Sequence, residues 1–145
     1  MATVSKLLEK KSKDLVSVCP DTLIRDAIAK MAEKSAGTAL VMDGPALVGI
    51  LSERDFIRKI YLKDKCGTGV KVKEIMSGSL TTVTPGTTLE HCMNLMTDKR
   101  IRHLPVLDGD QVVGVVSIGD IVKYMVQEKD SVIKNLESYI SGPGM

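Results

Sequence analysis

The chain has 145 residues, 43% hydrophobic and 26% charged, the profile of one folded globular domain rather than of a disordered segment. Twenty basic against 18 acidic side chains leave a formal net charge of +2, too small a surplus to mark a nucleic-acid or membrane footprint. With no Trp and one Phe, a stacking platform for single-stranded nucleic acid has little to be built from.

The opening MATVSKLLEKKSKD lacks an apolar core, so it does not read as a secretory signal. No apolar run in the chain reaches the roughly 20 residues of a membrane-spanning helix. Cys19, Cys66 and Cys92 are odd in number, far apart and without a C-x-x-C spacing. A disulfide framework or zinc site is therefore not expected, and a reducing compartment is. Cys66 stands among Lys63, Lys65 and Lys71, which makes it the thiol best placed for a lowered pKa. The expected location is the cytoplasm, or an organellar matrix if a transit peptide has been removed.

Residues 20–55 match residues 85–120 without a gap, at a shift of 65, with eleven of 36 positions identical. The identities include Pro20/Pro85, Met31/Met96, Asp43-Gly44/Asp108-Gly109, Val48-Gly49/Val113-Gly114, Ser52/Ser117 and Asp55/Asp120. Register held through helix, turn and strand signals indicates two copies of one module. Each copy opens on a β-rich segment (Leu15–Val18; Leu80–Val83) and a Pro turn. A helix follows, with Ile24, Ala27, Ile28, Met31 and Ala32, or Leu89, Cys92, Met93 and Met96, on its apolar face. Then come a strand (Thr38–Met42; His103–Leu107), an Asp-Gly turn and a second strand (Leu47–Leu51; Val112–Val116). A last helix opens at Ser52 or Ser117.

The expected architecture is α/β (α+β): two pseudo-symmetric β-α-β-β-α repeats that pack face to face, because neither buries its helices and sheet alone at ~60 residues. The predicted divisions are repeat 1 over 1–62 (core about 14–62), a Gly/Lys-rich linker over 63–73, repeat 2 over 74–128, and a C-terminal helix and tail over 129–145. In that last segment Val132, Ile133 and Leu136 have helical spacing, which suits an interface.

GILSERD and GVVSIGD resemble the Gly-h-h-Ser/Thr-x-x-Asp signature of cystathionine-β-synthase (CBS) domains, and RHLPVLDGDQVVGVVSIGDIV is similar to that family's second half. The resemblance spans about residues 14–128, a stand-alone CBS pair or Bateman module. It implies regulation through an adenosine-containing ligand (AMP, ADP, ATP, S-adenosylmethionine or NAD(H)) held in clefts between the repeats, and assembly as a homodimer.

Ser52-Glu53-Arg54-Asp55 and Ser117-Ile118-Gly119-Asp120 each follow a strand and open a helix, which has two readings. One is a capping box, with Ser accepting from a backbone N–H and the acid reaching back. The other is a ligand site: helix N–H groups and the Ser hydroxyl for a phosphate, the Asp for both hydroxyls of a ribose. In Arg100-Ile101-Arg102-His103, Arg102 and His103 are candidates for the phosphate, and Ile101 and Pro105 for the adenine. The same run also reads as a solvated basic turn. The first copy has Ala36-Gly37-Thr38-Ala39 there, small residues that leave room for a ring but bring no charge. The Asp120 cleft is therefore expected to be the better phosphate site, although such clefts borrow from both repeats. Val18 and Val83 are apolar-wall or core candidates, and Arg58 and Lys123 are exposed helix cations or phosphate contacts.

His91-Cys92 lacks a partner at ligand spacing, so no metal is expected. No Walker loop, H-E-x-x-H or G-x-S-x-G is present. The expected function is a non-enzymatic regulatory module, an energy sensor that passes a change of shape or rigidity to a protein partner. The alternative is a ligand-independent structural adaptor, and a nucleotide-processing enzyme is the weakest reading.

Overall fold

The computed structural model describes residues 2–11, 15–61 and 69–141. The expected contacts of Cys66 with Lys63 and Lys65, and most of the 63–73 linker, lie outside these residues.

Each repeat is built on a β-hairpin with helices laid against it. In the first, β2 (Thr38–Asp43) pairs antiparallel with β3 (Ala46–Ser52); in the second, β4 (His103–Asp108) pairs with β5 (Gln111–Ser117). Both hairpins turn through two residues, Gly44-Pro45 and Gly109-Asp110. Gly44 and Gly109 take the positive φ, +60° and +63°, that the first position of the turn requires. Both also shift register at the same place, between Val41 and Met42 and between Val106 and Leu107, 65 residues apart. Helix α2 (Ile24–Glu33) buries Ile24, Ala27 and Met31, and α4 (Leu89–Lys99) buries Leu89, Cys92 and Met96. Ala32, expected on the core face, is exposed.

The opening strands are shorter than the sequence suggests, and unequal. In the first repeat β1 (Ser17–Val18) lies parallel to β2, with the Leu40 N–H donating to the Val16 carbonyl at 2.8 Å. The second repeat has Pro105 where the first has Leu40. Without an N–H, Pro105 cannot make that bond, and the ladder shrinks to a single bridge between Val83 and Val106.

The two cores are not made of consecutive chain. Helix α1 (Val4–Lys10) sends Val4 and Leu7 into the core of the second repeat, whereas Val72 and Ile75, around a 3₁₀ turn at Val72–Glu74, enter the core of the first. The two dockings correspond bond for bond. Val4 N–H donates to the Thr87 carbonyl and Ser5 N–H to Pro85; Val72 N–H donates to Thr22 and Lys73 N–H to Pro20. Leu89 N–H returns a bond to Ala2, as Ile24 N–H does to Val70. The packing thus crosses between the repeats: the first residues serve the core of repeat 2, and residues 70–76 that of repeat 1.

The last helix of each repeat differs as well. The first is a short turn, α3 (Glu53–Phe56), running into a π-helical turn at Ile57–Tyr61. The second is α5 (Ile118–Ser141), a single helix of 24 residues, about 36 Å long. The helix expected within 129–145 is the continuation of α5, since no Gly or Pro stands between Gly119 and Gly142. Along α5, Val122, Met125, Val126, Ile133 and Leu136 are exposed; the side chain of Val132 lies outside the description.

Gly49 and Gly114 lie where the docked segments cross the hairpins. A Cβ at Gly49 would stand 2.5 Å from Met76 Sδ and 3.1 Å from the Ser77 carbonyl; at Gly114 it would stand 2.9 Å from Leu8 Cδ2. Gly49→Ala is expected to cost about 1–3 kcal/mol in urea unfolding, because a backbone oxygen blocks the methyl. Gly114→Ala is expected to cost less, because the end of the Leu8 side chain can rotate away.

Candidate functional site

Both Ser-x-x-Asp segments form complete capping boxes. Asp55 N–H donates to Ser52 Oγ at 3.1 Å, and Ser52 N–H donates to Asp55 Oδ2 at 3.0 Å. Asp120 N–H donates to Ser117 Oγ at 3.0 Å, and Ser117 N–H donates to Asp120 Oδ2 at 2.9 Å. Each helix start is also tied to the residue before its hairpin: Glu53 N–H donates to the Gly37 carbonyl and Ile118 N–H to the Arg102 carbonyl.

A cleft of about 250 Å³ opens between the repeats beside Asp120. The second repeat contributes His103, Val115, Ser117 and Asp120, and the first contributes Lys34, Ser35, Ala36, Gly37, Thr38 and Leu40. Leu15 and Val16 close one side, and Lys11 enters from the end of α1. The His103 ring and the Glu53 carboxylate both come within 3.9 Å of where a Gly37 Cβ would stand, which puts the two side chains beside this glycine at ordinary contact distance.

Of the residues singled out from the sequence, Gly37, Thr38, His103, Ser117 and Asp120 meet in this cleft. The others are placed elsewhere. Val18, Ala39, Val83 and Pro105 are buried, and behind the cleft rather than on it. For the two valines the core role holds. Pro105 is fully buried, and its carbonyl accepts from the Val83 N–H. Ile118 and Gly119 begin α5 without lining the cleft.

The basic run is divided between places. Arg102 and Ile101 do not line the Asp120 cleft; Ile101 packs against the core of the second repeat. Arg54 Nη1 donates to the Arg100 carbonyl at 3.2 Å, which ties the run to the Ser52–Asp55 helix start. The 65-residue shift explains the exchange. Gly37-Thr38 of the first repeat faces Asp120, so the repeat assigns its counterpart, Arg102-His103, to the Asp55 side, while His103 itself also lines the Asp120 cleft. Asp55 there is paired with Lys59 at 3.4 Å, and Lys59 also donates to the Ile75 carbonyl.

The charge in the Asp120 cleft comes instead from residues the sequence reading passed over. The Lys11 ammonium donates to Asp120 Oδ2 and to the Val115 carbonyl, with both charged side chains about a quarter exposed. Lys34 lines the cleft from the end of α2. Burial works against ionisation of Asp120, but the Lys11 ammonium and the Ser117 N–H outweigh it and hold the carboxyl below its usual range. Burial lowers the His103 imidazole, Lys11 and Arg102 push the same way, and Asp120 and Glu53 oppose them only in part. Among the described residues, no group of three or more His, Cys, Asp or Glu side chains is placed to hold a metal ion.

Comparison with known proteins decides the family. The CBS-domain profile matches the chain twice, over residues 4–62 and 72–127. The chain is a CBS-domain protein. It is 36% identical over 149 residues to the mitochondrial CBS domain-containing protein CBSX3 of Arabidopsis thaliana, covering 97% of this chain and 72% of that one. The CBS-domain crystal structure NE2398 is 47% identical, with a TM-score of 0.82 over 86% of this chain and 97% of its own. The structure of CBSX2 in complex with AMP is 27% identical, with a TM-score of 0.73 over 89% of this chain and 99% of that one. The match to 4–62 begins at α1, although in the fold of this CBS pair α1 serves the other repeat.

The environment of His103 makes stability depend on pH. The unfolded imidazole takes up its proton near pH 6.5, the folded one only at lower pH. Between these values the unfolded chain binds more protons. The contribution is therefore complete above about pH 6.5 and is lost as the pH falls through the folded value. The melting temperature is expected to drop between pH 7.5 and 5, with a smaller drop in His103→Gln. An unchanged pH slope in that variant would show that His103 is not the group responsible.

Proposed function

We propose that this CBS pair is a regulatory module that binds an adenosine nucleotide in the Asp120 cleft and does no chemistry on it. One observation carries the reading: the capped start of a 24-residue helix, a carboxylate one turn in, apolar Leu15 and Val16, and the cations Lys11 and Lys34 converge on one opening between the repeats. A helix N-terminus with Ser117 and nearby ammonium groups suits a phosphate, a carboxylate at Asp120 suits a ribose diol, and apolar side chains suit a purine. AMP has the support of the AMP-bound relative. ADP, ATP, NAD(H) and S-adenosylmethionine share the adenosine half and form the rest of the ligand panel. The Asp55 side, with Ser52, Arg54, Arg102 and Ile101 near it, is the second candidate cleft.

The exposed apolar residues of α5 suit a homodimer contact, through which a ligand-dependent change reaches a protein partner. No helix among the described residues is long and apolar enough to cross a membrane. The mitochondrial relative favours an organellar matrix over the cytoplasm as the location.

The completeness of both capping boxes favours a second reading, an adaptor in which these motifs only start helices. Thermal unfolding of the full chain with each member of the panel separates the two. A ligand at 100 times its Kd is expected to add about 2.7 kcal/mol, a shift of several degrees. Asp120→Asn, which keeps an acceptor for the Ser117 N–H, is expected to lose the shift if the Asp120 cleft is the site, whereas Asp55→Asn retains it. No shift with any member, in protein freed of co-purified nucleotide, would support the adaptor.

A further inference from the structure

The Asp120 carboxylate already has a cationic partner, and that partner is not part of either repeat's motif. Lys11 ends the α1 segment, enters the cleft, and places its ammonium on Asp120 Oδ2 and on the Val115 carbonyl. The corresponding aspartate, Asp55, is paired by Lys59 from its own helical segment, four residues on, so the two sites hold their counter-ions by different means.

We infer that Lys11 is a specificity-determining residue of the Asp120 cleft, an exchangeable counter-ion that makes the site demand a ligand with both a vicinal diol and an anionic group. The inference rests on the nucleotide reading above and deepens it. Asp120 Oδ2 already accepts from both the Ser117 N–H and Lys11, so a diol that bonds both carboxylate oxygens competes with the ammonium for Oδ2 and displaces it. The displaced cation stays in a part-buried cleft beside Lys34 and His103, where an uncompensated positive charge is costly. A phosphate at the start of α5 offers it a new partner, and a plain nucleoside offers none. The nucleoside thus bears the cost of breaking the Lys11–Asp120 pair, while the nucleotide recovers it. Selectivity for the charged ligand then exceeds what direct phosphate contacts alone would give.

The probes are adenosine and AMP, titrated calorimetrically into the full chain as wild type, Lys11→Met and Lys11→Arg. Methionine keeps the unbranched apolar stem without the charge, and arginine keeps the charge. In Lys11→Met, adenosine is expected to bind about tenfold more tightly, the scale of one charge-assisted hydrogen bond, and AMP with little change, because both the broken pair and its recovery at the phosphate are gone. The AMP/adenosine ratio therefore falls about tenfold, while Lys11→Arg stays within a few-fold of wild type. If AMP binds the wild type and is lost in Asp120→Asn, but Lys11→Met leaves the ratio unchanged, the role of Lys11 is overturned and the nucleotide reading stands. If neither probe binds the folded wild type, the assignment of AMP falls and the role of Lys11 falls with it.

Discussion

The cross-docking of residues 2–8 and 70–76 is the constraint on which the rest of the fold depends. Neither repeat closes its core with its own consecutive residues: Val4 and Leu7 complete one, Val72 and Ile75 the other. The same three backbone hydrogen bonds fasten each segment, offset by 65 residues on the repeat and by 68 on the docked strip. A ~60-residue repeat is marginal in buried surface, and borrowing an apolar strip from outside its own run of chain addresses that shortage. It also joins the two halves, because removing either strip opens the core of a repeat. The clefts between the repeats are consequences of this arrangement. Lys11 reaches Asp120 only because α1 is held on the second repeat, and Lys59 reaches the Ile75 carbonyl only because that strip is held on the first.

Electrostatics then separate two sites that the repeat makes equivalent in backbone. Both aspartates cap a helix, accept from a serine N–H and face a lysine. Asp55 is satisfied within its own segment, by Ser52 and by Lys59 at i+4, a pairing worth only a few tenths of a kcal/mol on a helix surface. Asp120 is paired across more than a hundred residues by a cation that also reaches a strand carbonyl in a part-buried setting. Attraction there is less screened, and the carboxyl is held ionised despite its burial.

The parts of the fold that repeat were legible in the sequence, because Pro20, Asp43-Gly44, Gly49, Ser52 and Asp55 recur in register. What did not recur at 65 was lost. The docked strips recur at 68 and share only Val4/Val72 and apolar Leu7-Leu8/Ile75-Met76, too short a match to stand out from an ordinary amphipathic start. Lys11 lies in the basic run Lys10-Lys11-Ser12-Lys13, where nothing in the spacing distinguishes the one lysine that enters a cleft. Arg102, which does not line the Asp120 cleft, shows the complementary limit. A repeat tells which residues are equivalent, but only the packing of one copy on the other tells whose aspartate they face. For Pro105 the limit is simpler: proline in a strand signals a lost hydrogen bond, not which side its ring takes.

Lys11 also gives the cleft a physical connection to the surface. Its neighbour Lys10 bonds to Glu128 at 3.2 Å and lies 5.1 Å from the centre of the Tyr124 ring, both on α5. One short helix thus holds the aspartate of the cleft with one lysine and the middle of α5 with the next. The outer bond is an exposed ion pair and worth little alone, so it does not lock the two together. The stronger tie is the burial of Val4 and Leu7 against Ile121 and Tyr124 in the same core. A ligand that exchanges Lys11 for a diol changes what the end of α1 is bonded to while this core contact stays. The resulting signal is limited to the difference in ligand affinity between the two arrangements of that segment. On the proposed nucleotide reading, α5, with its exposed valines and methionine, is the element through which a change in the Asp120 cleft would reach a partner, whereas Asp55 is paired within its own segment.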